Sequence, residues 1–183
     1  MSARPIDDAL QATGLIFYAR YHVFHAAIDY HPRAVLLACI YLAAKVENHY
    51  IPLDFFLKQC AAELDRSLLL HLEMRLAEAV GFQFDVHASL LAITGIHLQW
   101  QHLCAQGQQD VPIKAWTHDA KRLYLTEWLP LMDLCLLYSP AQIAYALFYT
   151  IAQQHHRQED YLRCFFFLEF CSAHSCACLF PRC

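Results

Sequence analysis

The feature that most constrains the fold is an apolar run of 11 residues from position 34 to position 44, in which Tyr41 carries the one polar group. Pro32 suits the first position of a helix, where the missing N–H has no consequence, and Pro52 prevents the helix from continuing. A helix that is apolar on every face must be covered by other helices or by lipid. Because crossing a bilayer takes about 20 such residues, the sequence predicts a core helix over residues 32–47 that is surrounded by its neighbours.

The composition favours an all-α fold. The 183 residues are 58% hydrophobic and 16% charged, so the chain has ample material for a core. It contains only 4 glycines, whereas an all-β fold of this size needs many tight turns. The net charge of −4 and the isoelectric point near 6.3 give no electrostatic reason to expect direct binding to nucleic acid.

The sequence also favours an intracellular protein without a membrane segment. Asp7 and Asp8 fall where a signal peptide would need its apolar core. The best membrane candidate, residues 131–152, contains Asp133 and Pro140, and a charge inside a bilayer is costly. Nine cysteines without a secretory signal indicate reduced thiols rather than a disulfide framework. A helical membrane protein is the alternative, and it would partition into detergent.

Apolar residues at helical spacing predict further helices on both sides of the core helix. The predicted segments are residues 6–25, 53–64, 68–80, 88–104 and 113–129. The apolar stripe of the first segment runs through Ala9, Ala12, Ile16, Ala19 and Val23. The stripe of the last segment runs through Ile113, Trp116, Ala120, Leu123 and Glu127. Gly81 is a natural stop for the third segment, and the polar stretch 106–112 is the clearest loop.

A second apolar helix follows the first at a distance of 108 residues. In its sequence YSPAQIAYALFYTIAQ, Ser139 and Gln142 form a capping box and Pro140 takes the first helical position. Setting Tyr30 against Tyr138 aligns four more pairs: Pro32 with Pro140, Ala38 with Ala146, Tyr41 with Tyr149 and Ala44 with Ala152. In both places an amphipathic helix precedes the apolar one, so the chain contains a long internal repeat.

This repeat predicts two similar helical bundles in tandem, each built around one buried helix. The first bundle covers residues 1–87 and the second covers residues 88–156. Residues 157–183 form a cysteine-rich tail without a clean helical period. Lys45 of the first copy aligns with Gln153 in the second. A functional charge at the end of the apolar helix would therefore belong to the first bundle alone.

No pattern in the sequence supports a catalytic, cofactor or metal site. The 4 glycines form no phosphate-binding loop, and nucleophile motifs such as GxSxG are absent. The tail holds five cysteines and His174, but structural zinc prefers two close pairs with about two to four residues between partners. The tail has a single close pair, Cys176 and Cys178. The 12 histidines include no HExxH pattern, and surface or capping roles account for them.

Lys45 and Glu73 are the two candidate site residues. Lys45 is the first charge after the apolar run, and Glu73 lies inside the apolar stripe of residues 68–80, next to Leu69 and Leu76. A carboxylate in such a stripe lies at its edge or has a charged partner. The two residues form a structural ion pair, are solvated separately, or present a charged pair at a binding surface. Their spacing alone leaves these alternatives open.

Tandem helical bundles with these two charges resemble the cyclin family. The cyclin-box pattern is matched by LAAKVEN at residues 42–48 and by LEMRLAEAVGFQFDVH at residues 72–87. Within that family, DYHPRAVLLACIYLAAKVEN and LMDLCLLYSPAQIA, at residues 29–48 and 131–144, are similar to cyclin H. The resemblance extends from about residue 4 to residue 154.

The resemblance implies a regulatory subunit rather than an enzyme. In the family, the residues that match Lys45 and Glu73 contact a cyclin-dependent kinase near its regulatory C-helix and its activation segment. Binding holds that helix in its active place, so that the kinase's own lysine–glutamate pair and metal site assemble. For a chain similar to cyclin H, the implied partners are the kinase catalytic subunit, a RING-finger assembly factor and the factor TFIIH. The implied location is the nucleus, with no cofactor and no direct contact with nucleic acid or membrane.

The sequence departs from the family pattern at several points. A cyclin box has five helices, and on this pattern the first box lacks its first helix and the second is incomplete at its carboxyl-terminal end. Asn48 replaces the acidic residue that is often found there. Two further functions therefore stay open: a cyclin-fold adaptor of the transcription machinery that binds protein or DNA and activates no kinase, and a truncated, non-activating form.

Overall fold

The computed structural model describes residues 7–60, 64–86, 88–105, 112–131 and 133–159, and every regular element in this part of the chain is helical. The α-helices are α1 (Asp8–Phe24), α2 (Pro32–Val46), α3 (Leu53–Cys60), α4 (Arg66–Ala79), α5 (Ser89–Ala105), α6 (Ile113–Leu123), α7 (Asp133–Leu137) and α8 (Pro140–Gln154). A π-helical turn (Tyr124–Trp128) and a 3-10 turn (Leu129–Leu131) lie between α6 and α7. The predicted all-α class is confirmed. The cysteines of the tail, and with them the zinc hypothesis, lie outside the described residues.

Helix α2 is the predicted core helix. It begins at Pro32, its amino-terminal cap is the side chain of His31, which accepts a hydrogen bond from the N–H of Arg33, and it ends at Val46 with Glu47 as its carboxyl-terminal cap. Eight of the 11 residues in the apolar run are buried and the other three are partly buried. Helices α1 and α4 pack against it. The expectation of a helix covered on every face is therefore confirmed.

The second copy of the core helix, α8, has the same length and the same ends as α2. Both helices have 15 residues and begin with a proline, Pro32 and Pro140. The predicted capping box that starts at Ser139 is present. Just beyond each helix one residue takes the left-handed conformation, Asn48 with φ 59° and His156 with φ 54°, again 108 positions apart. In both cases the next backbone N–H returns to a carbonyl five residues earlier, at 2.7 and 2.8 Å, as in a Schellman motif. The internal repeat is confirmed for these two helices.

Two hydrophobic clusters fill the described structure, and α1 contributes to both. One cluster contains α2, α4 and Phe56 of α3, together with Phe17 and Tyr21 from the carboxyl-terminal half of α1. The other contains residues of α5, α6, the π-helical turn and α8, together with Ala12 and Ile16 of α1. The division of the chain at residues 87 and 88 stays a prediction.

The prediction of one continuous α-helix over residues 113–129 is wrong beyond Leu123, where the chain forms the π-helical turn. A π-helical turn contains about one residue more than an α-helical turn. Both Tyr124 and Leu125 therefore reach the core, and Leu129 is only 1% exposed. Glu127, predicted to share the face of the buried residues, is exposed instead. Burial of its carboxylate without a partner would be costly, and the shift of register avoids it.

Two smaller predictions also fail at helix ends. Val23, the last member of the predicted stripe of α1, is 54% exposed because the helix ends one residue later. Within the described residues, the segment 53–64 is helical from Leu53 to Cys60, and Leu64 lies in a bend. Residues 61–63 lie outside the described part of the chain.

The membrane and metal expectations can be compared with the described residues only. Among the described helices none combines the length and the hydropathy that a bilayer crossing requires. No group of three or more His, Cys, Asp or Glu side chains in the same residues is arranged to hold a metal ion. Cys39, Cys60 and Cys135 are free thiols.

Two glycines should respond to alanine substitution with opposite sign. Gly95 lies inside α5 with open space around the position of a Cβ, so Gly95→Ala should raise the free energy of unfolding by about 0.5–1 kcal/mol. Gly81 has φ 63° at the end of α4, where Gly81→Ala should lower it by about 1–2 kcal/mol. Urea unfolding followed by circular dichroism measures both changes. If both substitutions changed the free energy of unfolding in the same direction, either Gly95 would not lie in a helix interior or Gly81 would not take the left-handed conformation.

Candidate functional site

The structure brings the two predicted site residues together. Lys45 lies in the last turn of α2, Glu73 lies in α4, and these helices pack against each other. Lys45 Nζ donates a charge-assisted hydrogen bond to Glu73 Oε1 at 2.6 Å. Separate solvation of the two side chains is therefore excluded. A role of this pair at a binding surface stays a prediction.

The two members of the pair differ in their exposure to solvent. The side chain of Lys45 is 47% exposed and that of Glu73 is 15% exposed. The ammonium group also lies 4.6 Å from the centre of the Tyr41 ring, in the range of a cation–π contact. A cation in the last turn of a helix is further favoured by the helix dipole. Lys45 is thus held in one place while its ammonium group stays accessible to a partner.

A shallow depression of about 240 Å³ adjoins the pair. It is lined by the last turns of α2 and by the segment that follows, through Tyr41, Ala44, Lys45, Asn48, His49, Tyr50 and Ile51. The Tyr50 side chain is 89% exposed. The depression therefore combines one cation, polar side chains and an aromatic ring that has little contact with the rest of the protein.

Large apolar side chains are exposed on the helices that carry or adjoin the pair. On α4, Leu70 and Met74 are 43% and 57% exposed, and their spacing of four residues places them on one face. Phe55 of α3 is 53% exposed. A charged pair beside exposed aromatic and methionine side chains is typical of protein–protein interfaces, where these residues are enriched.

Helix α1 supports this region through contacts that the sequence analysis missed. Thr13 is 2% exposed, and its hydroxyl donates to Glu47 Oε1 at 2.5 Å. At the neighbouring Gly14, α1 lies close to α2: a Cβ at this position would be in ordinary van der Waals contact, 3.5 Å, with Ile40 Cα. Adjacent small residues, Thr13 and Gly14, in the middle of a helix were the available signal for this close approach. Their partner residues could not be read from sequence.

A second polar contact joins α1 to the segment that lines the depression. The imidazole of His49 lies 3.4 Å from the carboxylate of Asp7, which precedes α1. Together with the hydrogen bond between Thr13 and Glu47, this contact fixes the chain immediately after α2 against α1. One side of the depression is therefore connected to α1 by two polar side-chain contacts.

The pair of Lys45 and Glu73 and the surface around it are suited to binding a partner rather than to catalysing a reaction. The thiol of Cys39, on α2, is buried, and burial raises its pKa far above the ordinary value, so it is an unreactive core residue. The predicted absence of catalytic and cofactor residues concerns the whole chain and stays a prediction. What the described site offers is an ammonium donor, a carboxylate acceptor and apolar surface.

No model of a known protein family matches the sequence. Curated relatives do match. Cyclin-H1-1 of Arabidopsis thaliana is 25% identical over 150 residues, which are 79% of this chain and 42% of that protein. Cyclin CCL1 of Saccharomyces cerevisiae is 27% identical over 135 residues, which are 74% of this chain and 33% of that protein. This chain therefore spans less than half of the length of these two relatives.

Solved structures match over most of the chain. A chain of the yeast TFIIK complex (Kin28/Ccl1/Tfb3) superposes with a TM-score of 0.72 and 25% identity over 87% of this chain and 68% of that chain. These matches support a chain similar to cyclin H-like members of the cyclin family. A chain of the CAK complex of Chaetomium thermophilum gives a TM-score of 0.70 at 20% identity, over 90% of this chain and 55% of that chain, and supports the cyclin fold alone.

The similarity to cyclins agrees with the tandem helical bundles that the repeat predicted. That α2 and α8 are equivalent helices of two cyclin boxes, with Lys45 and Glu73 in the first box, stays a prediction. The missing or incomplete helices of each box stay a prediction.

The two polar contacts of this region should differ in their effect on stability. Thr13→Val removes a buried donor from a charged acceptor and should lower the free energy of unfolding by about 1.5–3 kcal/mol. Glu73→Gln breaks a pair whose lysine is nearly half exposed and should lower it by less than about 1 kcal/mol. Denaturant unfolding measures both. Thr150→Val is the matched control, because the Thr150 hydroxyl donates only to the carbonyl of its own helix. A larger loss for Glu73→Gln would identify the pair with Lys45 as mainly structural.

Proposed function

We propose that this chain is the regulatory subunit of a cyclin-dependent kinase and binds the catalytic subunit through the surface formed by α2 and α4. The observation that carries the proposal is the ion pair of Lys45 and Glu73, fixed at 2.6 Å beside a depression and exposed apolar side chains. The similarity to Ccl1 and to a chain of the complex of Kin28, Ccl1 and Tfb3 supports it.

The pair is suited to recognising a partner's backbone. An ammonium group has three N–H donors, and Glu73 takes one of those of Lys45, so others are left for carbonyl oxygens of a docked segment. The carboxylate in turn can accept from a backbone N–H of the same segment. Because the two groups already hold each other in place, little side-chain freedom is lost when the partner binds.

The apolar residues around the pair supply the buried area of the interface. Tyr50 at the depression, Phe55 on α3 and the pair Leu70 and Met74 on α4 are all more than 40% exposed. Aromatic and methionine side chains dominate the binding energy of protein interfaces when they are covered. The kinase segment that lies against them is the regulatory C-helix, as the family resemblance implies.

The proposed action on the kinase is allosteric. By holding the C-helix in its active place, the cyclin completes the lysine–glutamate pair and the metal site of the kinase. The cyclin itself contributes no reacting group. The assembly is a CDK-activating kinase with a RING-finger assembly factor, in the context of TFIIH and therefore in the nucleus. No cofactor, membrane or direct nucleic-acid contact is part of it.

Alanine substitution of either member of the pair tests this proposal. Lys45→Ala or Glu73→Ala should weaken binding of a co-expressed kinase of the Kin28 type by about a hundredfold, because truncating one side of a charged hydrogen bond in an interface costs about 2–5 kcal/mol. Quantitative pull-down measures the loss, and circular dichroism should show unchanged helicity. Gln153→Ala, at the equivalent position of the second box, is the control and should bind normally.

The outcomes of this experiment separate binding from activation. Normal kinase binding by both alanine variants would contradict the interface assignment. Lost helicity in the variants would favour a purely structural pair. If the wild-type chain binds the kinase but leaves its phosphotransfer activity unchanged, the chain is the non-activating form, and only the activating part of the proposal is wrong.

A further inference from the structure

The solvent-exposed face of α6 is basic, in a protein whose net charge is −4. The helix buries Ile113, Trp116 and Ala120 on one side. On the opposite side it carries Lys114, His118, Lys121 and Arg122, within an arc of about 100° at 3.6 residues per turn. The His118 side chain is 81% exposed, and Lys114 and Arg122 are exposed as well.

These positive charges are not neutralised within the described part of the chain. Elsewhere, Lys45, Arg66 and Arg75 each pair with a carboxylate. On α6, in contrast, Lys114, Lys121 and Arg122 make no ion pair with a described carboxylate. The face has one acid, Asp119, whose Oδ1 lies 3.6 Å from His118 Nδ1.

The helices packed against α6 add no negative charge. Helices α5 and α8 both contact α6, and neither contains an aspartate or a glutamate. The next described acid along the chain is Glu127, five residues beyond Arg122. Lys114 also stands in the first turn of its helix, where the dipole is positive and gives a cation no stabilisation. Among the described residues, the positive charges on this face of α6 therefore outnumber the nearby carboxylates.

We propose that this basic face of α6 binds an acidic segment of a partner protein. Lys114, His118 and Arg122 follow each other at steps of four residues, or about 6 Å along the helix. Carboxylates two residues apart on an extended chain, or four apart on a helix, repeat at about the same distance. The binding surface is distinct from the one formed by α2 and α4.

The number of charges favours an acidic protein segment over nucleic acid. A protein that binds DNA typically makes about 6–10 phosphate contacts. The face of α6 offers three permanent cations over about 12 Å, and the rest of the protein is acidic. A short acidic peptide needs no more than this, whereas a long polyanion would also meet the repulsion of the remaining surface.

The experiment uses the full chain and a fluorescein-labelled peptide of eight glutamates, with fluorescence anisotropy at low and at near-physiological salt. The α6 triple variant carries Lys114→Gln, Lys121→Gln and Arg122→Gln. The control triple variant removes the same number of charges from the first bundle and carries Arg33→Gln, Lys58→Gln and Arg66→Gln. Three exposed ion pairs support roughly a tenfold difference in affinity. We expect that loss in the α6 triple variant and less than a twofold loss in the control.

A footprint on the wild-type chain gives a readout that does not depend on the stability of any variant. The peptide should slow the acetylation of Lys114 and Lys121 and leave that of Lys58 unchanged. Equal protection of all three lysines, or an equal loss of affinity in both triple variants, would overturn the proposal. So would equal binding of a peptide of eight glutamines. If a 12-nucleotide strand of thymidines binds α6 more tightly than the acidic peptide, the surface recognises nucleic acid and the proposal is wrong.

Discussion

Most of the apolar length of helix α2 is removed from water because α1 and α4 lie against it and Phe56 of α3 packs on Tyr41. An apolar helix of this kind has no stable exposed state in water, so the neighbouring helices are required to take these places. The close packing of α1 at Gly14 and the hydrogen bond from Thr13 to Glu47 then connect the end of α2 to α1. The position of Lys45 follows from that ending.

The elements that could be predicted from the sequence are those fixed by local chemistry. Periodicity, the prolines that open α2 and α8 and the cap at Ser139 act within one helix, and the predicted bounds of α2 and α8 held to within a few residues. The sequence marked Lys45 and Glu73 as charges at the margin of apolar surfaces, but it left open whether they pair, which the structure shows. The π-helical turn after Leu123 and the contact between Thr13 and Glu47 depend on packing between distant segments, which no local pattern records.

The two proposed binding surfaces have different physical characters. The surface of α2 and α4 surrounds one internally satisfied ion pair with exposed apolar side chains, so binding there is dominated by desolvation and shape. The face of α6 has cations without described carboxylate partners and little apolar area, so binding there is dominated by long-range attraction and is weakened by salt. The two proposals together predict that the protein holds one partner tightly and recruits another reversibly.

Helix α1 inserts Ala12 and Ile16 into one hydrophobic cluster and Phe17 and Tyr21 into the other. Because consecutive turns of one rigid helix complete both cores, neither core keeps its packing when α1 detaches. The two boxes should then melt as one cooperative unit, although their sequences repeat as if they were separable modules. A ligand that stabilises one box will accordingly raise the melting temperature of the other.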